Sequence, residues 1–491
     1  MIDHYSSARE MLAALSARKI SASDLLELHI GRIQAHDSAI NAVVVRDFER
    51  AREQAKTASA TASDSQPLAG LPMTIKESIN ISGLPTCAGI EQARNFVSAH
   101  DGLTAHRLKS AGAVLMGKTN IPVELADWQS NNPVYGRTCN PYRLDRSPGG
   151  SSGGSSAALA AGFTPLEVGS DIGGSVRVPA AFCGVFGHRP SETALARSGQ
   201  FPVPPMYNPM QLLGVQGPMA RTPGDLRLAM DVLAGPEIGE EVAWQIKLPA
   251  PRREKLKEYR VAMLPTPEWV PMDPSIRQAK HALIESLATE GCQVTEAQPD
   301  AFGDWREYWQ LYMRLLGAML GARAPADVRA ERIAYLKEVD NDSSLLFCDG
   351  MSADVQQLFA WIGQRNEIRL SWQRFFKDFD VVVAPAVMRN AYEHIDLPGS
   401  PIISAAKLNI EVDGKTLPYT EQLFYPGLCT LPGLPSTAFP VGKDPDGLPI
   451  GLQAIGPYLE DHTPLHFLEC LEQAGISNFS PPPSLASSAA R

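Results

Sequence analysis

This 491-residue sequence lacks the features that mark membrane and secreted proteins. It contains no apolar run of the roughly 18 residues or more that a membrane-spanning helix needs. Its first residues, MIDHYSSAREMLAALSARK, have neither the basic start nor the apolar core of a secretory signal peptide. We therefore expect a soluble protein of the cytoplasm that does not associate with a membrane.

Paired cysteines and clustered basic residues are also missing. The seven cysteines are scattered, and none forms a Cys-X-X-Cys pair, which favours a reducing compartment. The net charge is -10, and Lys and Arg do not cluster into a surface that could neutralise phosphates. We expect no nucleic-acid partner, no bound metal and no cofactor.

What the sequence does have is a pattern typical of an α/β protein. Hydrophobic residues make up 44% of the chain, enough for a sizeable core. Helical periodicity near the N-terminus gives way, from GLPMTIKESINISG onward, to short apolar runs separated by Gly and Pro. The length allows one large α/β domain or two to three smaller ones, the region at 240–375 could be an inserted helical cap, and we expect a flexible tail at 481–491.

Two Gly-Gly-Ser units stand close together in the sequence. The first lies in PGGSSGGSSAALAAG (148–162), which begins like a flexible linker but continues directly into helix formers closed by a glycine. The second, Gly173-Gly174-Ser175, follows the strand-like LEVGS. Glycine-rich turns let backbone N–H groups converge on an anion. Because GxxxxGK[ST] and GxGxxG are absent here, an oxyanion hole beside Ser175 is favoured over a phosphate site.

A nucleophilic serine needs a base, and the residues alone leave the choice open. His188 is near in sequence, although core packing explains a single histidine better. His462 and His466 are spaced as metal ligands could be, but Thr463-Pro464 resembles a helix start that leaves His462 outside the helix. Lys76, after the apolar run LPMTI, could act as a base if burial keeps it neutral.

The chain resembles the amidase signature family, serine amidohydrolases with a Ser-cisSer-Lys triad. The resemblance rests on GLPMTIKESI, TCNPYRLDRSPGGSSGGSSAALAAG, GSDIGGSVRVPAAFCGVFGHRP and LPGLPSTAFPVGKDPDGLPIGLQAIG. It implies that Ser175 is the nucleophile, that Ser151 follows a cis peptide bond and relays the proton, and that Lys76 is the base. It further implies an oxyanion hole from the backbone of Ile172, Gly173, Gly174 and Ser175, with support from Ser152, Asp171 and Arg177.

The resemblance also implies a fold and an activity. The fold would be one domain over residues 1–480, a mixed, mostly parallel, twisted sheet flanked by helices, in which the helical region at 240–375 shapes the substrate pocket. We expect a monomer or homodimer. The activity would be hydrolysis of a small-molecule amide to an acid and an amine through an acyl-enzyme. The chain departs from many relatives at two places. Lys76-Glu77 is a small change beside the base, and GHRPSETALARSG favours a bacterial amidase or aryl acylamidase branch over a tRNA-dependent amidotransferase subunit.

Other interpretations remain at this stage. The same catalytic residues could also act on a carbamate or an ester. In addition, the stretch from Gly149 to Gly153 formally matches the GxSxG of α/β-hydrolase esterases, although a loop, and not a strand, precedes Ser151. A catalytically inactive binding protein on the same fold is a third interpretation. For an aryl or apolar substrate pocket we single out aromatic residues, several of them at the helical spacing that is also typical of a core: Trp128, Trp305, Trp309 and Phe424.

Overall fold

A computed structural model describes residues 2–58, 63, 65–201, 212–300, 304–322, 324–397 and 401–486. The α-helices in this part of the chain are α1 Ala8–Ser16, α2 Ala22–Ile40, α3 Phe48–Thr57, α4 Leu103–Ser110, α5 Gly153–Ala160, α6 Arg177–Phe182, α7 Pro223–Leu233, α8 Pro274–Thr289, α9 Trp305–Gly321, α10 Ala326–Val339, α11 Asp342–Ser352, α12 Val355–Phe375, α13 Pro401–Ser404, α14 Phe424–Thr430, α15 His462–Gln473 and α16 Pro483–Ala486. The strands are β1 Val43–Arg46, β2 Pro72–Lys76, β3 Val114–Thr119, β4 Asn131–Asn132, β5 Gly136–Arg137, β6 Leu166–Asp171, β7 Phe186–Arg189, β8 Val215–Ala220, β9 Arg260–Met263, β10 Gln293–Glu296, β11 Val381–Pro385, β12 Asn409–Val412, β13 Lys415–Pro418, β14 Ser436–Lys443 and β15 Pro449–Ile455.

The core of the molecule is an eight-stranded sheet in the order β10-β9-β11-β15-β14-β7-β8-β6. The predicted mixed sheet flanked by helices is confirmed. Five strands run in one direction and three in the other, and the parallel pairs of this sheet are β10–β9 and β9–β11. Parallel pairing is less extensive than expected because short connections, such as the turn between β14 and β15, join antiparallel neighbours.

A smaller sheet, β1-β3-β2, continues the large one past β6. Side chains join the two: the Thr74 N–H on β2 donates to Thr164 Oγ1 at 3.1 Å, and Lys76 Nζ lies 3.1 Å from Ser170 Oγ on β6. This contact places the end of β2 beside the end of β6. Residues that are almost a hundred positions apart in sequence therefore meet at one edge.

Helix α5, formed from the linker-like GGSSAALA, is completely buried and packs against β2, β3, β6 and β8. Its small residues permit this depth. A Cβ on Gly154 would lie 2.2 Å from the backbone nitrogen of Asn120, so the helix can approach β3 this closely only with glycine. The stretch is thus a structural element of the core.

The region 240–375 is less purely helical than predicted. It contains α8 to α12 but also β9 and β10, which form one edge of the large sheet. These strands have four residues each, too few for a period of two to stand out between long helices. The region is therefore partly continuous with the main sheet.

The chain ends show a further difference from expectation. Arg32 Nη2 donates a hydrogen bond to the backbone oxygen of Leu485 at 3.1 Å, which ties α16 to α2, whereas we expected flexibility from residue 481. The remainder of that tail, 487–491, lies outside the described residues. None of the helices in the described part of the chain combines the length and apolarity that crossing a bilayer requires. All seven cysteines are free thiols.

Candidate active site

Lys76 is fully buried at the end of β2 and surrounded by serine side chains. Its Nζ lies 2.7 Å from Ser151 Oγ, 2.9 Å from Ser152 Oγ and 3.1 Å from Ser170 Oγ. Burial lowers the pKa of Lys76 to about 7, against the opposing effect of the nearby Asp171 and Glu167 carboxyls. A lysine with this pKa is partly neutral near pH 7 and can accept a proton.

Ser151 stands between this lysine and a small cavity. The peptide bond between Gly150 and Ser151 is cis. A Cβ on Gly150 would lie 2.4 Å from the backbone oxygen of Asp127, so only glycine fits here. Ser151 and Ser175 both line the cavity, together with Ser170 and Ile172.

Ser175 lies between β6 and α6, at the junction of two cavities. Its backbone oxygen accepts a hydrogen bond from the Ser152 N–H at 3.1 Å. Its hydroxyl makes no hydrogen bond to any described residue and is therefore available to approach the carbonyl carbon of a substrate. The loop thus presents the side chain while the main chain holds it in place.

Asp171 organises the loop that carries Ser175. Its fully buried carboxylate accepts hydrogen bonds from Arg177 Nη2 at 2.9 Å and Nε at 3.0 Å, and from the backbone N–H groups of Gly174 at 3.0 Å and Val176 at 3.1 Å. Burial alone would raise the pKa of Asp171, but the Arg177 guanidinium holds it well below its usual range. A charged carboxylate therefore clamps the turn.

Three of the four backbone N–H groups expected to form an oxyanion hole are available. Those of Ile172, Gly173 and Ser175 have no hydrogen-bond partner among the described residues. That of Gly174 donates to Asp171 Oδ1 at 3.0 Å, so this N–H already has a partner in the structure. With a φ of +91°, Gly174 instead provides a left-handed turn that other residues adopt rarely.

A mostly apolar cavity opens beside Ser175 and encloses about 830 Å³ including its mouth. Trp128, one of the predicted pocket residues, lines it and donates its indole N–H to the backbone oxygen of Gly173 at 2.9 Å. The far wall comes from three helices of the 240–375 region and consists of Leu316, Leu320, Leu336 and Phe347.

The other predicted pocket residues, Trp305, Trp309 and Phe424, line neither of the two cavities at Ser175. Trp305 and Phe424 pack edge to face with ring centroids 5.9 Å apart, and Trp309 packs against Tyr312. The reason is position along α9: its first turns pack on α14, and its later turns reach the cavity through Leu316 and Leu320. The core interpretation of the spacing applies to these residues.

Sequence reasoning missed Asp127 and Tyr419, which also line the cavity. The Tyr419 hydroxyl donates to Asp127 Oδ1 at 2.8 Å, and burial raises the pKa of Asp127 to about 6. Asp127 and Tyr419 are far apart in sequence, and neither lies in a periodic element or a recognisable motif. Only the tertiary fold reveals the pair.

Among the described residues, no histidine lines either cavity. His188 is buried between Thr437 and Asp461, at 2.8 and 3.1 Å. His462 is the first residue of α15, whereas we expected it outside the helix, and its Nε2 lies 3.0 Å from Asp231. A nucleophile elbow with a histidine base therefore has no support in this arrangement.

Comparison with known proteins gives a consistent picture. The family model described as Amidase matches residues 24–465. The chain is 32% identical to a glutamyl-tRNA(Gln) amidotransferase subunit from Roseiflexus castenholzii, with 91% of each chain covered. It is 30% identical to the indoleacetamide hydrolase of Bradyrhizobium diazoefficiens, over 93% of this chain and 84% of the relative. It is 29% identical to the acylamidase of Rhodococcus erythropolis, with 93% of each covered.

Solved structures agree with the fold. The 6-aminohexanoate cyclic dimer hydrolase superimposes with a TM-score of 0.77 at 25% identity, covering 99% of this chain and 100% of its own. A bacterial aryl acylamidase gives a TM-score of 0.77 at 23% identity, with 96% of each chain covered. The same architecture extends over nearly the whole molecule.

Proposed function

The chain belongs to the amidase family and is an enzyme of the amide-hydrolysing class, and we propose that it cleaves arylamides or small acyl amides through an acyl-enzyme on Ser175. The observation that carries this proposal is the buried Lys76 Nζ, 2.7 Å from Ser151 Oγ in a cavity that Ser151 shares with Ser175. A neutral amine in that position can draw a proton through one hydroxyl to another.

Acylation begins when Ser175 Oγ attacks the amide carbonyl carbon. Its proton passes to Ser151 Oγ as the proton of Ser151 passes to Lys76. The carbonyl oxygen becomes an oxyanion, which the free N–H groups of Ile172, Gly173 and Ser175 stabilise. The proton then returns through the relay to the nitrogen of the leaving amine, the C–N bond breaks, and the acyl group stays on Ser175 as an ester.

Deacylation repeats the sequence with water. Lys76 accepts a proton from water through Ser151, and the hydroxide attacks the ester carbonyl. The bond to Ser175 Oγ breaks, the proton returns to that oxygen, and the carboxylic acid leaves. The products are one acid and one amine for each water consumed.

The cavity supports an aryl or apolar group on the substrate. Its aliphatic and aromatic wall offers burial to such a group, worth about 25 cal/mol for each Å² removed from water. No Lys or Arg lines it in the described part of the chain, so this lining offers no cation to the carboxylate of a free amino acid such as glutamine. This favours the acylamidase and indoleacetamide hydrolase relatives as guides to activity.

An amidotransferase subunit remains the second candidate, because the chain is 32% identical to one. In that case glutamine would be the preferred amide. The same machinery could also accept an ester or a carbamate, since it acts on a carbonyl and a leaving group.

A hydrolysis panel tests the proposal. Acetanilide, an aliphatic amide, glutamine, a carbamate and an ester are incubated with the wild type, Lys76→Ala and Ser175→Ala. We expect the anilide to be cleaved by the wild type and kcat to fall at least about 100-fold in Lys76→Ala. Glutamine as the only amide cleaved would favour the amidotransferase function, and a Lys76→Ala variant with full amide turnover would refute the relay.

A further inference from the structure

The geometry points to Tyr312, on α9, as a positioning residue of the oxyanion hole, an inference that rests on the proposed function. Its hydroxyl donates a hydrogen bond to the backbone oxygen of Ile172 at 2.9 Å. Tyr312 is 1% exposed, and burial raises the pKa of its hydroxyl above the ordinary value, so the donor stays protonated.

The consequence follows from peptide planarity. In a trans peptide the carbonyl and the N–H point in opposite directions. The carbonyl of Ile172 and the N–H of Gly173 belong to one peptide unit. When Tyr312 holds the carbonyl of Ile172, it also fixes the direction of the Gly173 N–H. This N–H has no partner among the described residues and is left for the oxyanion.

The neighbouring peptide unit is fixed at both ends. Trp128 Nε1 donates to the oxygen of Gly173 at 2.9 Å, and the N–H of Gly174 donates to Asp171 Oδ1 at 3.0 Å. The unit before it depends on Tyr312 for its long-range hydrogen bond. Tyr312 therefore limits the rotation of the peptide unit that carries the Gly173 N–H, one of the three N–H groups proposed to bind the oxyanion.

The same helix also forms part of the substrate wall. Leu316 and Leu320 follow Tyr312 at intervals of four, on one face of α9, and line the apolar cavity. A substrate group that packs against Leu316 and Leu320 therefore contacts the same helix that holds the loop between β6 and α6. The placement of the amide and of its oxyanion site thus share one rigid element.

Tyr308 provides a matched control on the same helix. It is also buried, and its hydroxyl also donates to a backbone oxygen, that of Leu428 in α14, which lies outside both cavities at Ser175. Tyr308→Phe and Tyr312→Phe each remove one hydroxyl and keep the ring. Both are expected to lower the unfolding temperature, so a loss of activity in Tyr312→Phe alone would come from the loop.

The test combines turnover with labelling by an alkyl fluorophosphonate, whose phosphoryl oxygen occupies the oxyanion hole while serine attacks phosphorus. We expect Tyr312→Phe to lower kcat on acetanilide and the labelling rate constant together, each by roughly ten-fold or more, with KM within about two-fold, because the donor acts in the transition state. Tyr308→Phe is expected to keep both rates within about three-fold of the wild type, since it leaves these interactions intact.

Equal rates in the two variants, or a change in KM alone, would overturn the role of Tyr312. The proposed function fails separately, through a Ser175→Ala variant that still hydrolyses the anilide. The two failures therefore have different signatures.

Discussion

At the scale of single residues, the decisive feature is a lysine that the fold keeps partly neutral. Lys76 has no solvent exposure, and serine hydroxyls surround its Nζ. Its two nearby carboxyls, Asp171 and Glu167, do not restore the ordinary lysine pKa. The environment thus lowers the pKa of a residue that is normally a surface cation to about 7.

The first prediction concerns the pH dependence of activity. Because the relay needs a neutral Lys76, kcat/KM for an amide should rise with pH and level off above the pKa of about 7. The profile is measured on the wild type with a substrate that does not itself titrate. A rate that is independent of pH across this range would contradict the assignment of Lys76 as the base.

The second prediction concerns stability. Between about pH 7 and the ordinary lysine value of 10.5, the unfolded chain binds a proton at Lys76 that the folded chain does not, so raising the pH favours folding. Relative to Lys76→Met, the free energy of unfolding of the wild type should rise with pH by at most about 1.4 kcal/mol per unit. Urea titrations of both proteins at several pH values check this, and parallel curves would count against a lowered pKa.

At the scale of elements, the loop from β6 to α6 and the helix α9 divide the work of the site. The loop carries Ser175 and the free N–H groups, held by the Asp171 and Arg177 ion pair. Helix α9 holds the loop through Tyr312 and continues into the wall of the cavity. The loop with Ser175 and the cavity wall on α9 are therefore different elements in direct contact.

The third prediction tests the clamp. Asp171→Asn leaves the Arg177 guanidinium buried without its ion-pair partner, which should lower the free energy of unfolding by about 3–5 kcal/mol and slow fluorophosphonate labelling of Ser175. The control, Glu192→Gln, disrupts the buried ion pair with Arg365 on α12. It should lose similar stability and keep the labelling rate, so equal labelling of both variants would contradict a special role for Asp171.

The fourth prediction tests the wall of the cavity. Leu316→Ala enlarges the cavity and should shift kcat/KM toward anilides with bulkier acyl groups, by about ten-fold or more relative to acetanilide. Leu311→Ala, on the same helix and also buried but outside the cavity, should leave the ratio unchanged. The same shift in both variants would show that general loosening of α9, and not the lining, sets the preference.

At the scale of the whole molecule, the large sheet brings together segments that are remote in sequence. Lys76 ends β2, Ser151 precedes α5 and Ser175 follows β6, and the contact between β2 and β6 brings these three positions to one edge. The far wall of the apolar cavity, from α9 to α11, comes from the middle third of the chain. The site therefore exists only when the entire domain has folded.

The fifth prediction belongs to this scale. Because one chain supplies the residues of the proposed relay, the proposed oxyanion hole and the cavity, the purified protein should hydrolyse an anilide without any partner chain. Its kcat/KM for glutamine should be at least about ten-fold lower, since the described residues that line the apolar cavity include no cation for the carboxylate. Activity that appears only after addition of a second chain, or a preference for glutamine, would contradict this.

Local motifs indicated which residues meet beside the cavities better than they indicated which residues line the pocket. Lys76 and Ser175 lie in contiguous motifs, and the glycine-rich 148–162 stretch is buried as a helix because small residues allow it. The pocket could not be predicted in the same way, because helical spacing does not show which turns of α9 face a neighbouring helix. Trp305 and Trp309 accordingly pack in the core, and the cavity residue Asp127 comes from a loop without periodicity.

The most direct test of Ser175 as the nucleophile is to trap the acyl-enzyme. Wild type and Ser175→Ala are mixed with an activated aryl ester, quenched with acid within the first turnover, digested and analysed by mass spectrometry. We expect a stoichiometric burst of the phenol and the mass of the acyl group on the peptide that contains Ser175, both absent in Ser175→Ala. An acyl group on another residue, or undiminished turnover by Ser175→Ala, would contradict the acyl-enzyme mechanism.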